Sequence, residues 1–353
     1  EINFSLYLPF IVFYLGTLMI FSYLTMIFRA LLKIKIVSTI ESINQFINLL
    51  LLILFFTLGF KVEGILSAFI IANIVSIFVL IYLGRDYIFG HTSTVNLYES
   101  YEIGAAAAFG AFISFGLGKQ ADIIIMNYFN VPSEKIGLYF LCFSLTSMMV
   151  LPLQGIGALS QSVFSEVYAK KATPGLSISW SKVTEVVVLF VIPLYAFAIF
   201  NAKIIIEVLY GNQFSEAALY FKIFAGFSCV SILVGSSFCS PVFYLLRRKK
   251  LALKIQFAGG ILNIVLNIIL IPKYGVWGVV VATGFSQSLA GIIKMLFVRH
   301  YIKVDFPLIF EIKILLACII ALIPVAFVNG SGLILILIKI TIYSLGFAAI
   351  LFL

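Results

Sequence analysis

Apolar runs long enough to cross a lipid bilayer follow one another along almost the whole chain, and they limit the fold more than any other feature. The hydrocarbon core of a bilayer is about 30 Å thick, which takes about 20 helical residues to span. The runs are continuous, as at residues 49–56, whereas a transmembrane β-barrel needs alternating apolar and polar residues. With 63% hydrophobic and 10% charged residues, the composition is also far from that of a soluble domain. We therefore predict an all-α, polytopic transmembrane helical bundle.

Eleven membrane spans are predicted, and short loops join most of them. Their residues are 4–28, 36–60, 64–83, 104–129, 136–167, 182–200, 217–246, 251–271, 274–298, 308–328 and 333–353. Lys and Arg concentrate in alternate loops, as the positive-inside rule requires. One set of loops holds fifteen basic residues, namely Arg29, Lys33, Lys35, Arg85, Lys170, Lys171, Lys182, Arg247, Arg248, Lys249, Lys250, Lys254, Arg299, Lys303 and Lys313. The other set holds Lys61, Lys135, Lys203 and Lys273. We expect residue 1 on the outer side and the basic loop at residues 247–250 in the cytoplasm.

An internal repeat relates the third predicted span to the ninth at a constant offset of 214 residues. The matched residues are Gly64 and Gly278, Ala68 and Ala282, Arg85 and Arg299, and Tyr87 and Tyr301. The two spans run in the same direction, which describes a parallel repeat about an axis normal to the membrane, a symmetry known from transporters. If the repeat unit has six helices, the first copy shows only its last three. We therefore expect three more helices upstream.

Charge and composition exclude several classes of function. The net charge of +9 arises from the cytoplasmic loops, so it does not indicate a nucleic-acid partner. The sequence has two histidines and no metal-spaced His cluster, phosphate-cradling Gly-rich loop or nucleophile elbow. We expect no enzyme activity, no cofactor and no metal site.

Polar residues inside apolar runs are the candidates for a substrate pathway, because a charge in hydrocarbon is costly and usually faces a protein interior or a wet cavity. The fourth predicted span contains Lys119, Gln120 and Asp122. Lys119 and Asp122 are three apart and share a helix face, close enough to pair. Lys119 could meet a diphosphate or an acidic sugar, or it could extend its ammonium group to the membrane surface. Asp122 is the more structural of the two.

Neutral amides supply the other candidates. Gln154 and Gln161 are seven apart on the fifth predicted span and share a face, and Gln154 follows the helix-disrupting Pro152. Their amides suit sugar hydroxyls, although hydrogen bonds between helices would explain them equally well. Asn263 and Asn267 lie one turn apart beside two glycines, a combination typical of helix packing.

Several segments resemble one transporter family. Asp122, the apolar run after it and the Gly137-Leu-Tyr element resemble the end of the seventh helix in Wzx-type polysaccharide flippases. Residues 151–155 and 163–167 are similar to the eighth helix of the colanic-acid and teichuronic-acid exporter branch, except that Ser165 replaces a usual proline. Residues 209–218 and 271–278 are similar to later outer loops of the family.

The resemblance implies membership of the multidrug/oligosaccharidyl-lipid/polysaccharide (MOP) exporter superfamily. It implies two six-helix lobes with a cavity between them and two further helices, and hence a division into residues 1–103, 104–304 and 305–353. It also implies flipping of undecaprenyl-diphosphate-linked oligosaccharide repeat units across the bacterial cytoplasmic membrane by alternating access. The implied partners are that substrate, membrane lipids and the polysaccharide polymerase machinery.

Two alternatives remain. A drug antiporter of the same superfamily, coupled to a cation, would need a carboxylate within the membrane, and Asp122 is the one in the middle of the visible spans. A membrane polysaccharide polymerase or ligase would be expected to place a large polar loop outside, whereas the predicted outer loops are short and nearly uncharged.

Overall fold

The computed structural model describes residues 4–30, 33–88, 118–304, 307–328, 330 and 332–352. These residues form thirteen α-helices and two short 3-10 helices and contain no strand, which confirms the all-α prediction. Eight of the described helices are long and apolar enough to cross a membrane, or nine when one bent pair counts as a single span. The chain divides into two compact units, residues 1–97 and 98–353. The three-part division expected from the sequence stays a prediction.

Unit 1 contains three long helices, which correspond to the first three predicted spans. They are α1 (Phe4–Ala30), α2 (Ile34–Thr57) and α3 (Val62–Ile88). Phe28, Val37 and Leu80 belong to a small buried core in which the three helices meet. Asn44 on α2 donates from Nδ2 to Ser76 Oγ on α3, at 2.9 Å. Helices in a membrane gain little from apolar contact alone, so such buried polar bonds help to specify which helices pair.

Unit 2 contains ten described helices. They are α4 (Lys119–Tyr128), α5 (Ser133–Met149), α6 (Leu151–Phe200), α7 (Ala202–Tyr210), α8 (Ala217–Leu233), α9 (Cys239–Leu245), α10 (Lys249–Tyr274), α11 (Val276–Ile302), α12 (Leu308–Ala326) and α13 (Leu333–Phe352). The 3-10 helices are Asn212–Phe214 and Ser236–Phe238. The first fourteen residues of the predicted span 104–129 lie outside the described residues, so only its second half, as α4, can be compared.

The fifth and sixth predicted spans differ from the observed helices. A break at Val150 separates α5 from α6, and Pro152 follows it in the first turn of α6, where a proline costs no helical hydrogen bond. α6 then continues through the predicted cytoplasmic loop, with Ala172 as its one internal break among the described residues. Ala172 has φ 50° and ψ −147°, so the chain changes direction at one strained residue instead of in a loop.

The predicted span 217–246 is a broken helix. α8 ends at Leu233, the 3-10 turn follows, and α8 is bent by 56° relative to the segment Ser236–Leu245, which includes α9. Gly235 makes the break possible, because its φ of 63° is left-handed and a Cβ there would lie 2.5 Å from the Trp180 ring of α6. A break of this kind inside a membrane is tolerated where the freed backbone is buried in protein or lines a polar cavity.

The last two helices pack within unit 2 against the end of α6. Phe197 of α6, Val325 of α12 and Tyr343 of α13 share one buried apolar cluster. Lys339 of α13 is buried and donates to Asn201 Oδ1, just after α6, at 3.3 Å. This bond accounts for a lysine within an apolar helix.

An exposed ion pair links α5 to the segment before α8. Lys135 Nζ donates to Glu216 Oε1 at 2.6 Å, and Tyr220 donates to the same oxygen at 2.7 Å. The hydrogen bond from Lys135 lowers the pKa of the Glu216 carboxyl below its usual value, and the hydrogen bond from Tyr220 has a smaller effect in the same direction. The pair therefore adds stability at pH values above the unfolded pKa, and this contribution is lost as the pH falls through the lowered folded pKa.

We expect Lys135→Ala to lower the unfolding free energy at neutral pH by less than about 1 kcal/mol, because both groups are solvated. At a pH below the lowered pKa the variant and the parent should unfold alike. Thermal unfolding of the purified protein at the two pH values checks this. Lys203→Ala is a matched control, because its pair with Glu207 spans 3.8 Å within one helix. An equal loss of stability for Lys135→Ala at both pH values would contradict the assignment.

Candidate functional site

Four helices of unit 2 bring their polar side chains to one point within the bundle. Asp122 comes from α4, Tyr139 from α5, Asn263 and Asn267 from α10, and Thr283 from α11. The two asparagines are four apart and so lie on one face of α10. The turn at Gly275 joins α10 to α11 and returns Thr283 to the level of the asparagines. We call these five residues the Asp122 cluster.

The Asp122 carboxylate accepts four hydrogen bonds and is fully buried. Oδ1 accepts from Asn263 Nδ2 at 2.9 Å and from Asn267 Nδ2 at 2.7 Å. Oδ2 accepts from the Tyr139 hydroxyl at 2.5 Å and from the Thr283 hydroxyl at 3.0 Å. All four donors are neutral groups, so they satisfy the lone pairs of the carboxylate without supplying a compensating charge.

Asp122 is the one ionisable carboxylate of the cluster, and its charge has no charged partner among the four donors. A buried ionised carboxylate is costly unless it is paired or neutralised, and ionisable groups within a membrane mark functional sites by default. The Asn267 Oδ1 atom is buried and has no hydrogen-bond partner, and it adds one more oxygen to this oxygen-rich site. The described residues contain no group of three or more His, Cys, Asp and Glu that could hold a metal. A single carboxylate among neutral groups could balance at most one positive charge.

A polar cavity of about 380 Å³ lies next to the cluster. Gln256, Gly259 and Asn263 of α10 and Ser286, Gly291 and Lys294 of α11 line it, together with Gly118 and two serines of the broken helix. We call it the Lys294 cavity. Asn263 belongs to both features, since its Nδ2 bonds Asp122 and its side chain lines the cavity. The cluster and the cavity are therefore adjacent parts of one site.

A second, smaller cavity of about 160 Å³ lies along the broken helix. Its polar lining includes Ser228, Ser231, Ser237 and Ser288. Ser231 and Gln287 line both cavities, so the two share a wall. The break at Gly235 explains this arrangement, because it directs serines on both of its sides toward α11. A hydroxyl-lined space inside a membrane bundle can bind groups that hydrocarbon excludes.

Two family models match the chain, and each covers more than half of it. The model described as "Polysaccharide biosynthesis protein" matches residues 6–219, and the model described as "Lipid II flippase MurJ" matches residues 156–353. The chain belongs to the polysaccharide biosynthesis flippases of the MOP superfamily. This assignment confirms the family predicted from the sequence.

Two sequence relatives of this MOP flippase are archaeal. The chain is 27% identical over 174 residues to the uncharacterized membrane protein MJ1068 of Methanocaldococcus jannaschii, a match that covers 49% of this chain and 34% of the relative. It is 23% identical over 189 residues to the probable low-salt glycan biosynthesis flippase Agl15 of Haloferax volcanii, which covers 52% and 39% of the two chains.

Solved structures with the same fold include a flippase and a multidrug transporter. The lipid II flippase MurJ in an inward closed conformation has a TM-score of 0.67 at 18% identity, covering 88% of this chain and 65% of MurJ. A multidrug resistance MATE family transporter in an outward-facing conformation has a TM-score of 0.59 at 16% identity, covering 76% and 62%. The MOP flippase chain thus spans less than two thirds of the length of each of these relatives.

The structure brings only part of the predicted pathway together. Asp122 is the centre of the cluster, and Gln120 is half-buried on the same helix. Lys119 begins α4, while Gln154 and Gln161 lie on α6, and the side chains of all three are outside the described residues. The Lys119–Asp122 pair and the substrate contacts of the two glutamines therefore stay predictions.

Sequence reasoning missed three members of the site. Thr283 carries no signal in the sequence, because a threonine is common in any apolar helix. Tyr139 belongs to the Gly137-Leu-Tyr element of the family resemblance, which does not indicate a partner for its hydroxyl. Lys294 had a signal, since it interrupts the predicted span 274–298, but a lysine near a cytoplasmic end is readily assigned to the membrane surface. The spacing of Gly291 and Gln287 from Lys294, at three and seven residues, could have indicated a polar face.

Proposed function

We propose that this MOP flippase moves lipid-linked oligosaccharides across a cellular membrane by alternating access. The observation that carries the proposal is the polar Lys294 cavity between α10, α11 and the broken helix, in a membrane bundle that matches polysaccharide biosynthesis and lipid II flippase families. The proposed substrate is an undecaprenyl-diphosphate-linked oligosaccharide repeat unit for a surface polysaccharide such as O-antigen, capsule or exopolysaccharide. The proposed location is the bacterial cytoplasmic membrane.

The chemistry of such a substrate explains why polar cavities are needed within apolar helices. Sugar hydroxyls and phosphates lose their hydration in hydrocarbon, and each unsatisfied polar group there costs several kcal/mol. A wall of serines, glutamines and asparagines replaces water as donor and acceptor, while the polyprenyl chain stays in the surrounding lipid. The protein then serves as a transporter and not as a catalyst, and it delivers its substrate to the polysaccharide polymerase machinery.

The Asp122 cluster supports energy coupling in this cycle. Charging and neutralising one buried carboxylate changes which helix arrangement is more stable, and an ion gradient can drive the cycle only through such a difference. The same cluster favours a second candidate function, a cation-coupled drug antiporter, and the likeness of fold to MATE structures is compatible with it.

Deletion of the gene from its own organism separates the two functions. For the flippase we expect lipid-linked repeat units to accumulate with their sugars inaccessible to a membrane-impermeant oxidant added outside, together with a loss of surface polysaccharide. Normal surface polysaccharide with increased sensitivity to cationic drugs would instead identify the antiporter. Restoration by the parent gene is the control for effects on neighbouring genes.

A further inference from the structure

One end of unit 2 carries four connected side chains that the proposed function does not yet use. Lys135 lies in the first turn of α5, Glu216 directly before α8, Tyr220 in the first turn of α8, and Trp277 is the second residue of α11. Contacts among the four hold the starts of these three helices together. The distribution of basic loops predicts that this end faces the outer side. We call these four residues the Trp277 platform.

Tyr220 joins the two parts of the platform. Its hydroxyl donates to Glu216 Oε1 at 2.7 Å, and Lys135 Nζ donates to the same oxygen at 2.6 Å. The Tyr220 ring packs edge-to-face against the Trp277 indole, with ring centroids 4.7 Å apart and an angle of 67° between the planes. The indole and the carboxylate are therefore held within the length of one tyrosine side chain of each other.

The platform keeps binding groups exposed although its support is buried. Tyr220 is 3% exposed and serves as the support, whereas Trp277 is half-buried and presents part of its surface. The Lys135 and Glu216 side chains are 41% and 48% exposed. The described bonds, including a second one from Lys135 to Oε2, use three of the about four acceptor positions of the carboxylate. An aromatic surface, a charged acceptor and an ammonium donor are thus available in one place.

An aromatic belt at the membrane surface does not account for this arrangement. Belt residues place their rings at the level of the lipid headgroups, and Tyr128 at the end of α4, which is 79% exposed, fits that role. Trp277 is instead half-buried beside a tyrosine whose hydroxyl is fixed by a carboxylate. The Lys135–Glu216 pair has no net charge, so it has little attraction for the phosphate of a lipid headgroup.

The chemistry of the platform matches a neutral sugar ring. A pyranose has one surface of C–H groups, which suits the electron-rich face of an indole, and a rim of hydroxyls. Each hydroxyl can donate to a carboxylate and accept from an ammonium group. Asn212 and Gln213, which are exposed in the loop before Glu216, add neutral amides of the kind that also bond hydroxyls.

We propose that the Trp277 platform is a binding subsite for a neutral sugar ring of the substrate on the outer side of unit 2, where the flipped oligosaccharide leaves. This inference rests on the proposed function, and it names the part of the substrate that is bound at release. The platform is distinct from the Asp122 cluster and from both cavities, because none of its four residues belongs to them.

Saturation-transfer NMR with the purified intact protein tests the subsite. The probes are lactose, chitobiose and mannitol, because mannitol carries hydroxyls without a sugar ring. We expect at least one disaccharide to bind, and mannitol to bind about tenfold more weakly or not at all. Trp277→Leu should weaken disaccharide binding about tenfold, whereas Trp277→Phe keeps an aromatic face and should retain most of it. Tyr128→Leu, which removes an exposed ring at the end of α4, is the matched control and should bind as the parent does.

Glu216→Gln tests the carboxylate without removing the ring. It should weaken disaccharide binding about threefold or more, since a hydrogen bond to a charged group is replaced by one to a neutral group. This variant also decides the matter if Trp277→Leu does not fold.

Tryptophan fluorescence in proteoliposomes distinguishes a sugar from a lipid as the occupant. The chain has two tryptophans, and Trp180 is fully buried, so comparison with Trp277→Phe isolates the emission of Trp277. We expect the disaccharide that binds to change this emission. Brominated phospholipids should quench the parent no more than they quench Trp277→Phe.

Three results would overturn the proposal. The first is that the parent binds neither disaccharide, or binds mannitol as strongly. The second is parental binding by both Trp277→Leu and Glu216→Gln. The third is quenching of Trp277 by brominated lipid with no response to either disaccharide, which would identify a belt residue. The gene-deletion phenotype is independent of these measurements. Lost surface polysaccharide without disaccharide binding would reject the subsite and retain the flippase, whereas disaccharide binding without that phenotype would reject the flippase and the role in release.

Discussion

Asp122→Asn is expected to abolish transport while the protein remains folded. The change keeps the size of the side chain but removes the one negative charge of the cluster, so the site can no longer alternate between a charged and a neutral form. Each oxygen of Asp122 accepts from two donors. The asparagine side chain keeps one of these oxygens and replaces the other by an NH₂ group, so two donors of the cluster lose their acceptor. Each unpaired buried donor costs about 1–3 kcal/mol, so stability should fall measurably as well.

Flipping of lipid-linked oligosaccharide in proteoliposomes measures the result, with a proton or sodium gradient imposed across the vesicle membrane. The parent should respond to one of the two gradients, and Asp122→Asn should respond to neither. Thr283→Val is the matched control, because it removes one hydroxyl, which lies 3.0 Å from Asp122 Oδ2 and 3.3 Å from Asn263 Oδ1, and keeps the carboxylate. We expect it to cost about 1 kcal/mol and to retain the gradient response. Gradient-driven flipping by Asp122→Asn at the parental rate would show that the carboxylate is only structural.

Gly278→Ala is expected to have the largest effect on stability. Gly278 lies where α11 passes the end of α10, and a Cβ there would be 2.6 Å from the carbonyl carbon of Leu270 and 2.7 Å from its oxygen. Backbone atoms cannot move aside as the end of a flexible side chain can. The two helices must separate, at a cost of about 1–3 kcal/mol or more. Their separation also displaces Asn263 and Thr283, which bond Asp122 from opposite helices.

Thermal unfolding of the purified protein checks this prediction, with Gly137→Ala as the matched control. Gly137 lies within α5, and a Cβ there would have no atom within 4 Å. Because alanine favours helix over glycine by about 1 kcal/mol, the control should be neutral or stabilising. Equal unfolding temperatures for the two variants would mean that α10 and α11 do not approach each other as closely at Gly278 as described.

The sequence predicted the class of fold because the membrane imposes it. Continuous apolar runs and alternating basic loops depend only on local composition, and most of the eleven predicted spans coincide with described helices. The turn at Ala172 falls in the loop predicted between the fifth and sixth spans, although the structure makes it one residue of a long helix. The break at Gly235 was not predicted, since it depends on what a single residue meets in a neighbouring helix. At Gly235 that neighbour is Trp180, which is 55 residues away in the sequence.

The candidate site was predictable in its charge but not in its partners. Asp122 stands out in an apolar run, and Asn263 with Asn267 shows the spacing of one helix face. Their bonds join residues that are 141 and 145 positions apart, and no local pattern records which helices meet. Helix packing was therefore a sound interpretation of the two asparagines, and it was incomplete because the group they bond is a carboxylate.

The serines of the broken helix have a consequence for which sugars such a transporter accepts. Ser231 and Ser237 lie on either side of the bend and face the cavities with hydroxyl groups. A hydroxyl can rotate to donate or to accept, whereas a fixed amide or guanidinium group demands one geometry. A wall of this kind distinguishes poorly between sugars that differ only in the configuration of one carbon. If the proposed sugar-bearing substrate enters these cavities, the bend at Gly235 thus favours tolerance of many sugar structures.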